Sequence, residues 1–459
     1  MNLASAAALV IFAALPARAQ SFEDQAADIL PQTTKRAQEI KREARSGGSP
    51  SSGAGSPAAN ASCIESAPPA GVSRPVPALG VAERINGRDF PSVFQAWHGA
   101  DNLNEAPFSG ATALPDAPQA GHGLNAANVA RHDLAFFGPG AMGLTPVNSC
   151  AGLAIGFTPD SVSRALAKRR EMLAANPRLV ILAEIRWHDG QKGYLPDDSP
   201  WWQAGDAHQD VPGEFHLLKV SDPDFRRHVA LQCKAAILTG VFDGCMFDWW
   251  AEAQYPDLPK LAKGVREAIG DEALILVNAN NRQERGAARY INGFFMEGFD
   301  SRFWPLDAKG WKTAEDNLVW EKQSLHPPVI SALEGWAASG RGDLSDVQFM
   351  RALTALSLTR SDGFVLFGDK NTDGLNDHRH DWYPFWNKGL GRPSGDAQDR
   401  PDGAVSRDYG GGTVVYNPAS NKTVTVRFTE ARFSRSTHLT SREHVIIAGD
   451  GDILETPKR

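Results

Sequence analysis

The sequence predicts an α/β fold: a (β/α)8 TIM barrel followed by a small C-terminal antiparallel β domain. Two observations predict it. Between residues 81 and 400, short apolar runs alternate with amphipathic segments, which is typical of parallel strands joined by helices. After residue 400 the period changes to that of strands separated by turns. The 459 residues allow a barrel of about 250 residues with additions.

Eight apolar runs are the predicted barrel strands. They cover residues 92–97, 133–137, 179–184, 241–248, 274–278, 293–297, 329–334 and 363–367. Helices are expected between them, with Thr158 and Ser221 as the N-caps of two. An open doubly wound sheet is the alternative, but no glycine-rich phosphate turn follows the first strand. The sequence therefore favours a closed barrel.

The β domain is predicted over residues 401–459. Residues 413–416 and 423–428 form a strand–turn–strand pattern, and residues 444–447 and 453–455 flank a second turn. We expect each pair to form a hairpin.

The N-terminal region carries an export pattern. Residues 1–19 predict a signal peptide, because a short apolar run precedes an Ala-Arg-Ala cleavage site. Residues 20–80 form a polar segment and a Ser/Gly/Pro-rich linker. A secreted or periplasmic location follows. Four cysteines allow three pairings; loop-like surroundings favour Cys63 with Cys150, whereas Cys233 and Cys245 are expected to be buried thiols.

The composition restricts the partners. Hydrophobic residues make up 42% of the chain and charged residues 22%, as in water-soluble globular proteins. A net charge of -7 argues against nucleic acid as a partner. No membrane span is predicted after the signal peptide, and the oligomeric state is left open.

Acidic and amide side chains follow the predicted strands at the end where barrel enzymes carry their active sites. Residues 243–250 (DGCMFDWW) place Asp248 after a buried strand, and residues 294–299 (FFMEGF) do the same for Glu297. Hydrolysis of a glycosidic bond needs two such acids, one ionised and one protonated. The two motifs therefore predict a carboxylate pair.

This pattern resembles the barrel glycosidases of the α-galactosidase superfamily, the related polygalactosaminidase-like families and, most of all, a hypothetical glycosyl hydrolase family of barrel proteins. The resemblance covers roughly residues 85–455. It implies hydrolysis of O-glycosidic bonds in an extracellular or envelope polysaccharide, with retention, Asp248 as nucleophile and Glu297 as acid/base. In another glycosidase clan the second acid ends strand seven, which makes Glu334 the rival of Glu297.

Further side chains at the same ends are expected to bind the substrate. Flat indole rings suit sugar faces, and the chain has 12 tryptophans. The expected substrate-binding residues are Trp97, Glu184, Trp187, Trp249, Asn278, Trp336 and Asp369. Other tryptophans near the strand ends, each of which could equally be core, are Trp201, Trp202, Trp250, Trp304 and Trp382.

No cofactor and no catalytic metal are expected. Residues 369–377 resemble a calcium loop, but position twelve is His380, so an Asx-rich turn is the preferred interpretation. A metal-dependent deacetylase is disfavoured, because His378, His380 and Asp381 are the nearest approach to a metal cluster. The remaining alternative is a carbohydrate-binding barrel without catalysis.

Overall fold

The computed structural model describes residues 63, 79–97, 126–203, 215–299, 307–336, 346–368, 378, 380 and 382–457. In chain order its helices and strands are α1 (Val81–Asn86), β1 (Phe94–Ala96), α2 (Ala126–Val129), β2 (Leu134–Phe137), α3 (Pro159–Ala175), β3 (Val180–Glu184), β4 (Asp189–Gln191), β5 (Phe215–Leu217), α4 (Pro223–Leu238), β6 (Gly244–Phe247), α5 (Leu258–Ile269), β7 (Leu274–Asn278), β8 (Gly293–Phe299), α6 (Ala308–Ser324), β9 (Ala332–Trp336), α7 (Asp346–Arg360), β10 (Phe364–Gly368), β11 (Gln398–Asp399), β12 (Val405–Tyr409), β13 (Gly412–Asn417), β14 (Val424–Ser434), β15 (Thr440–Ile446) and β16 (Asp450–Glu455).

Eight of these strands form one parallel sheet in the order β1-β2-β3-β6-β7-β8-β9-β10. A parallel bridge between Val93 and Val365, with a hydrogen bond of 3.0 Å from the Val365 N–H to the Ser92 carbonyl, joins the first strand to the last. The sheet therefore closes, and the predicted (β/α)8 barrel is confirmed. Strands β4 and β5 form a separate antiparallel hairpin in the excursion that follows β3.

The barrel strands are apolar on both faces because one face lines the interior and the other packs against helices. Successive residues of β2, β3, β6 and β7 accordingly fall into two buried clusters. Phe136, Leu182, Met246 and Leu276 belong to one cluster, and Ala135, Ile181, Cys245 and Ile275 to the other. The second cluster also contains the inward faces of α3, α4 and α5. The helices thus cover the outside of the barrel.

The end of β6 opposite Asp248 is held by buried charge. Asp243 lies just before β6, where it pairs with Arg84 of α1 at 2.5 Å and with Arg169 of α3 at 2.6 Å. Burial alone would raise the pKa of Asp243, but these two guanidiniums hold it below its usual range. Gly244 follows, and a side chain there would meet the Leu274 carbonyl of β7 at 2.1 Å.

Both cysteine pairs are disulfides. Cys63 is bonded to Cys150, as expected, and Cys233 of α4 is bonded to Cys245 of β6, with a Cα–Cα distance of 6.0 Å. The prediction of buried thiols for the second pair was wrong, because the outward face of β6 brings Cys245 directly against α4. The N-cap of α4 also differs: Asp222, not Ser221, accepts the free N–H groups of Asp224 and Phe225.

The β domain is a six-stranded antiparallel sheet in the order β11-β12-β13-β16-β14-β15. The expected pairing was wrong in both hairpins, because β16 inserts between β13 and β14 and leaves β15 at the edge beside β14. The sheet packs on α7. Arg351 of α7 binds both oxygens of Asp450, at 3.0 and 2.8 Å, and Gly451 leaves room for Ala355.

No helix within the described residues combines the length and the apolar character that crossing a bilayer requires. The predicted signal peptide and the linker fall outside the described residues, apart from Cys63 and residues 79–80.

One buried acid predicts how stability changes with pH. Glu321 of α6 is fully buried, and hydrogen bonds from the Ser331 side chain and the Phe294 backbone offset only part of the cost of burying its charge. Burial raises its pKa to about 8 from an ordinary value of 4.5. Between those values the folded chain keeps a proton that the unfolded chain has lost. The free energy of unfolding therefore falls by about 1.4 kcal/mol per pH unit from this group.

Glu321→Gln removes this dependence. We expect the unfolding free energy of the variant, relative to the wild type, to rise from pH 4.5 to pH 8 and to level off at each end. Urea unfolding at several pH values measures it. Glu267→Gln, at an exposed site on α5, is the matched control and should show a flat difference. Parallel curves for Glu321→Gln and the wild type would contradict the assignment.

Candidate active site

Three neighbouring barrel strands deliver the polar groups at the mouth of the barrel. Asp248 directly follows β6, Asn278 ends β7 and Glu297 lies near the end of β8. The side-chain amide nitrogen Nδ2 of Asn278 donates to Asp248 Oδ1 at 2.7 Å and to Glu297 Oε2 at 2.6 Å. The two carboxylates that the sequence predicts as a pair therefore share one amide group.

The shared amide limits the distance between the carboxyl groups. Asp248 Oδ1 lies 2.7 Å and Glu297 Oε2 lies 2.6 Å from the same nitrogen atom. The distance between the two oxygens therefore cannot exceed the sum of these two distances. Retaining glycosidases place their carboxyl groups about 5–5.5 Å apart, and inverting enzymes about 6.5–9.5 Å. The pair therefore lies in the short-distance class.

The pKa values of the two acids are both raised, but the groups around the two acids differ. Burial raises the pKa of Glu297 to about 8; the charges of Asp248 and Glu334 act in the same direction, and His378 opposes them. Burial also raises the pKa of Asp248, while N–H groups of Asn278 and the Trp249 backbone favour its ionised form. Glu297 therefore favours its protonated form at neutral pH, and the N–H donors around Asp248 oppose the rise in its pKa.

Glu334 is not placed to act as the second acid. It is 0% exposed within β9, and both of its carboxyl oxygens lie 3.0 Å from Nδ1 of His378. The other ring nitrogen of His378, Nε2, is 3.5 Å from Glu297 Oε1. The arrangement does not support the rival prediction for Glu334, because both of its oxygens contact His378 whereas the Asn278 amide joins Asp248 to Glu297.

One group of three side chains among the described residues has metal-ligand spacing. Glu297, Glu334 and His378 each place one ligand atom within 4.8 Å of the other two. The imidazole, however, turns Nδ1 to Glu334 and Nε2 to Glu297. Each ring nitrogen thus has a different carboxylate as its nearest partner. The absence of a catalytic metal stays a prediction.

Glu184 and Trp97 lie on the neighbouring side of the mouth. Glu184 ends β3, and burial raises its pKa to about 7, with Arg186 opposing and Asp248 adding to the shift; the Trp97 side chain donates a hydrogen bond to it. Trp97 follows β1, and its ring centroid lies 4.9 Å from that of His378. Both predicted residues are thus grouped around the carboxylates.

Trp249 presents the most exposed aromatic surface near Asp248. Its side chain is 58% exposed, and its ring is stacked on His188 with centroids 5.3 Å apart and planes 14° from parallel. The backbone has φ 56°, in the left-handed region that bulky residues avoid. His188 in turn contacts the Tyr255 hydroxyl at 2.8 Å. This stack forms a flat wall beside the predicted nucleophile.

Two predicted sugar contacts are core residues. Trp187 is 1% exposed and donates its indole N–H to the Asp248 carbonyl oxygen at 2.7 Å, and Trp336 is 5% exposed. The predictions for these rings were wrong, because each packs beneath the mouth and offers no open face. Trp250 and Trp382 are buried as well. Asp369, the calcium-like segment 369–377 and Trp304 lie outside the described residues.

Two histidines at the site, His378 and His188, were not predicted as functional residues. Each stands near a predicted site residue or strand end in the sequence. His378 stands in the run Asp-His-Arg-His-Asp at residues 377–381 beyond the last barrel strand, and it was considered only as a metal ligand. His188 follows Trp187 in the segment after β3. Spacing alone did not show that these rings face Glu297 and Trp249.

Comparisons with known proteins add a likeness in fold. No family model matches the chain, and no curated protein matches it. An α-amylase from Malbranchea cinnamomea superposes with a TM-score of 0.49 and 11% identity, over 82% of this chain and 97% of that chain. The Nostoc punctiforme debranching enzyme gives a TM-score of 0.44 and 12% identity, over 80% and 98%.

The maltogenic α-amylase AmyB from Thermotoga neapolitana gives a TM-score of 0.46 and 10% identity, over 79% and 97%. At these values the likeness assigns neither an activity nor a substrate to this chain. The resemblance to α-galactosidases read from the sequence receives no support from these structures.

The backbone at Trp249 leads to a stability prediction. An L-residue in the left-handed region costs about 1–2 kcal/mol, whereas glycine adopts it freely. We therefore expect Trp249→Gly to be more stable than Trp249→Ala by about 1 kcal/mol in urea unfolding. The same two substitutions at Glu267, within helix α5, are the control and should rank in the opposite order. An alanine variant as stable as the glycine variant at position 249 would contradict the strained backbone.

Proposed function

We propose that this protein is a glycoside hydrolase that cleaves O-glycosidic bonds with Asp248 and Glu297. The observation that carries the proposal is the shared Asn278 amide, which holds two half-buried carboxyl groups together at the mouth of a closed barrel. Two carboxyl groups in different protonation states are the chemical requirement of glycoside hydrolysis.

In this mechanism Asp248 is the nucleophile. Its carboxylate attacks the anomeric carbon while protonated Glu297 gives its proton to the leaving oxygen, so the glycosidic bond breaks as the glycosyl–Asp248 ester forms. Glu297, now a carboxylate, then takes a proton from water, and the hydroxide equivalent replaces Asp248 at the same carbon. Asn278 stays bonded to both side chains and fixes their positions. The hydrolysis is complete, and Glu297 has recovered its proton.

The substrate we propose is an extracellular or envelope polysaccharide, with the protein secreted or periplasmic. The exposed Trp249 ring beside Asp248 supports a carbohydrate partner, because sugar faces stack on flat apolar surfaces. Two disulfides support an oxidising compartment, where such bonds persist. The apolar run and cleavage pattern in residues 1–19 agree with export.

A carbohydrate-binding barrel without catalysis is the second candidate, and the same Trp249 surface favours it. The two functions differ in what the carboxylates contribute. A binding protein needs hydrogen-bonding groups at positions 248 and 297, which amides also supply, whereas the proposed hydrolysis needs a nucleophile and a proton donor.

The catalytic proposal is tested by Asp248→Asn and Glu297→Gln. With a polysaccharide panel and a reducing-end assay, we expect the first variant to lose at least about 10³-fold in kcat/KM. The second should lose about 10²–10⁴-fold. Asp224→Asn and Glu267→Gln, both at exposed sites, are matched controls that keep wild-type rates. Full activity in both site variants would refute the assignment; binding without any turnover would favour the second candidate.

The stereochemical outcome is a separate prediction. Because the shared amide places the two carboxyl groups in the short-distance class, we expect the first-formed sugar to have the anomeric configuration of the substrate. Proton NMR recorded early in the reaction, before mutarotation, distinguishes the two anomers. An inverted first product would show that water, and not Asp248, attacks the anomeric carbon.

A further inference from the structure

A line of three side chains runs from the buried wall of the barrel to Glu297. Glu334 is fully buried and contacts Nδ1 of His378 through both oxygens at 3.0 Å. His378 is 3% exposed, and its Nε2 lies 3.5 Å from Glu297 Oε1. Of these three side chains, only Glu297 transfers a proton in the proposed mechanism. Glu334 and His378 have no role in it so far.

The orientation of the His378 ring is fixed from several directions. Aromatic rings surround it, with centroids at 4.9 Å for Trp97, 6.0 Å for Phe295 and 6.1 Å for Trp336. Its backbone carbonyl lies 3.1 Å from Nδ1 of His380. The ring therefore keeps one nitrogen towards Glu334 and the other towards Glu297.

The partners of the ring determine where its protons reside. Nδ1 faces two carboxyl oxygens, which are acceptors when Glu334 is ionised, so Nδ1 carries a proton. A buried carboxylate is costly unless a charge of opposite sign accompanies it. An imidazolium supplies that charge, and its second proton, on Nε2, then points at Oε1 of Glu297.

We propose that Glu334 and His378 are positioning residues that hold an imidazolium against Glu297 and so stabilise the carboxylate that Glu297 becomes after it gives up its proton. This inference deepens the proposed function and rests on it for the role of Glu297. No bond to His378 forms or breaks: the ring keeps both protons while the proton of Glu297 passes to the leaving oxygen and is later recovered from water.

The charged groups around this line determine the expected sign. Glu297 faces Asp248 and Glu334, which favour its protonated form, and His378 and Asn278, which favour its ionised form. Glu184 interacts with Asp248 and Trp97 on the neighbouring side of the mouth. Among the described residues, His378 has the largest opposing effect on the Glu297 pKa, and Coulomb interactions weaken with distance. Loss of the imidazolium should therefore make Glu297 hold its proton to higher pH.

Loss of Glu334 should act in the same direction. Replacing it by glutamine removes a negative charge behind the ring, which by itself would favour ionised Glu297. It also removes the counter-charge that keeps the ring cationic, and the charge of that ring affects the Glu297 pKa more strongly than the charge of Glu334 does. We therefore expect the loss of the cation to dominate, with a smaller effect than direct removal of His378.

The experiment follows the Glu297 carboxyl carbon by NMR in full-length protein labelled with carbon-13 at the glutamate side-chain carboxyl. The Glu297 signal is the one that Glu297→Gln removes. In the wild type it should titrate near pH 8, the value that burial sets. In His378→Gln the midpoint should rise by at least about 1 pH unit, and in Glu334→Gln by less. His228→Gln is the matched control and should leave the midpoint unchanged, because His228 lies on α4, 2.9 Å from the Gly152 carbonyl oxygen and outside the line to Glu297.

A second measurement covers the case in which a variant does not fold. Nitrogen-15 NMR of histidine-labelled wild-type protein should show one ring with both nitrogens protonated at the pH where Glu297 is half-titrated. An unchanged or lowered midpoint in His378→Gln would overturn the proposal. Finding only neutral histidine rings in the wild type would also overturn it. The same holds if the purified protein contains one divalent metal ion per chain, and a chelator that removes this ion also abolishes the Glu297 titration.

The titration needs no substrate, so the two proposals fail separately. A raised midpoint in a protein that hydrolyses no glycoside would leave the charge arrangement intact and refute the hydrolase function. If hydrolysis depends on Glu297 but the Glu297 titration midpoint is the same in His378→Gln as in the wild type, only the positioning role is refuted.

Discussion

The amide of Asn278 is the constraint on which the candidate site depends. One nitrogen, Nδ2, donates to a carboxyl group on the strand before it and to another on the strand after it, at 2.7 and 2.6 Å. Both protons of the amide are used, so neither Asp248 nor Glu297 can move away without leaving a buried donor unpaired, at about 1–3 kcal/mol. The closed barrel keeps β6, β7 and β8 adjacent, and the Asn278 amide fixes the distance between the carboxyl groups of Asp248 and Glu297.

Charge is treated differently at the two ends of β6. At the closed end, two arginines balance the negative charge of ionised Asp243. These ion pairs connect α1 and α3 to the strand. At the mouth, no arginine is hydrogen-bonded to Asp248 or Glu297 among the described residues, and burial favours protonated carboxyl groups there. The first arrangement stabilises structure, and the second leaves two acids with raised pKa values at the mouth. The histidine behind Glu297 provides the balancing charge.

The barrel was predictable from the sequence because strands buried on both faces leave continuous apolar runs, as in residues 274–278, whose prediction coincides with β7. The carboxyl pair was predictable because the residue after such a run emerges at the mouth. The order of strands in the β domain was not, since β16 pairs with β13 and β14 through contacts distant in sequence. For the same reason the sequence did not show that Asp243 and Asp248 serve opposite ends of one strand, or that His378 returns to β8 and β9. The number of tryptophans was also a poor guide to sugar-binding residues. Trp187 and Trp336 are close to site residues in the sequence, yet their side chains are buried.

The central claim is that Asp248 bonds to the sugar while Glu297 handles the proton. It is tested most directly by trapping the covalent intermediate with an activated fluorosugar substrate in Glu297→Gln, followed by digestion and mass spectrometry. The claim predicts one glycosyl adduct per chain, located on the peptide that contains Asp248 and absent from Asp248→Asn. An adduct on a different carboxyl group would contradict the claim. So would an Asp248→Asn variant that turns over the activated substrate without forming any adduct.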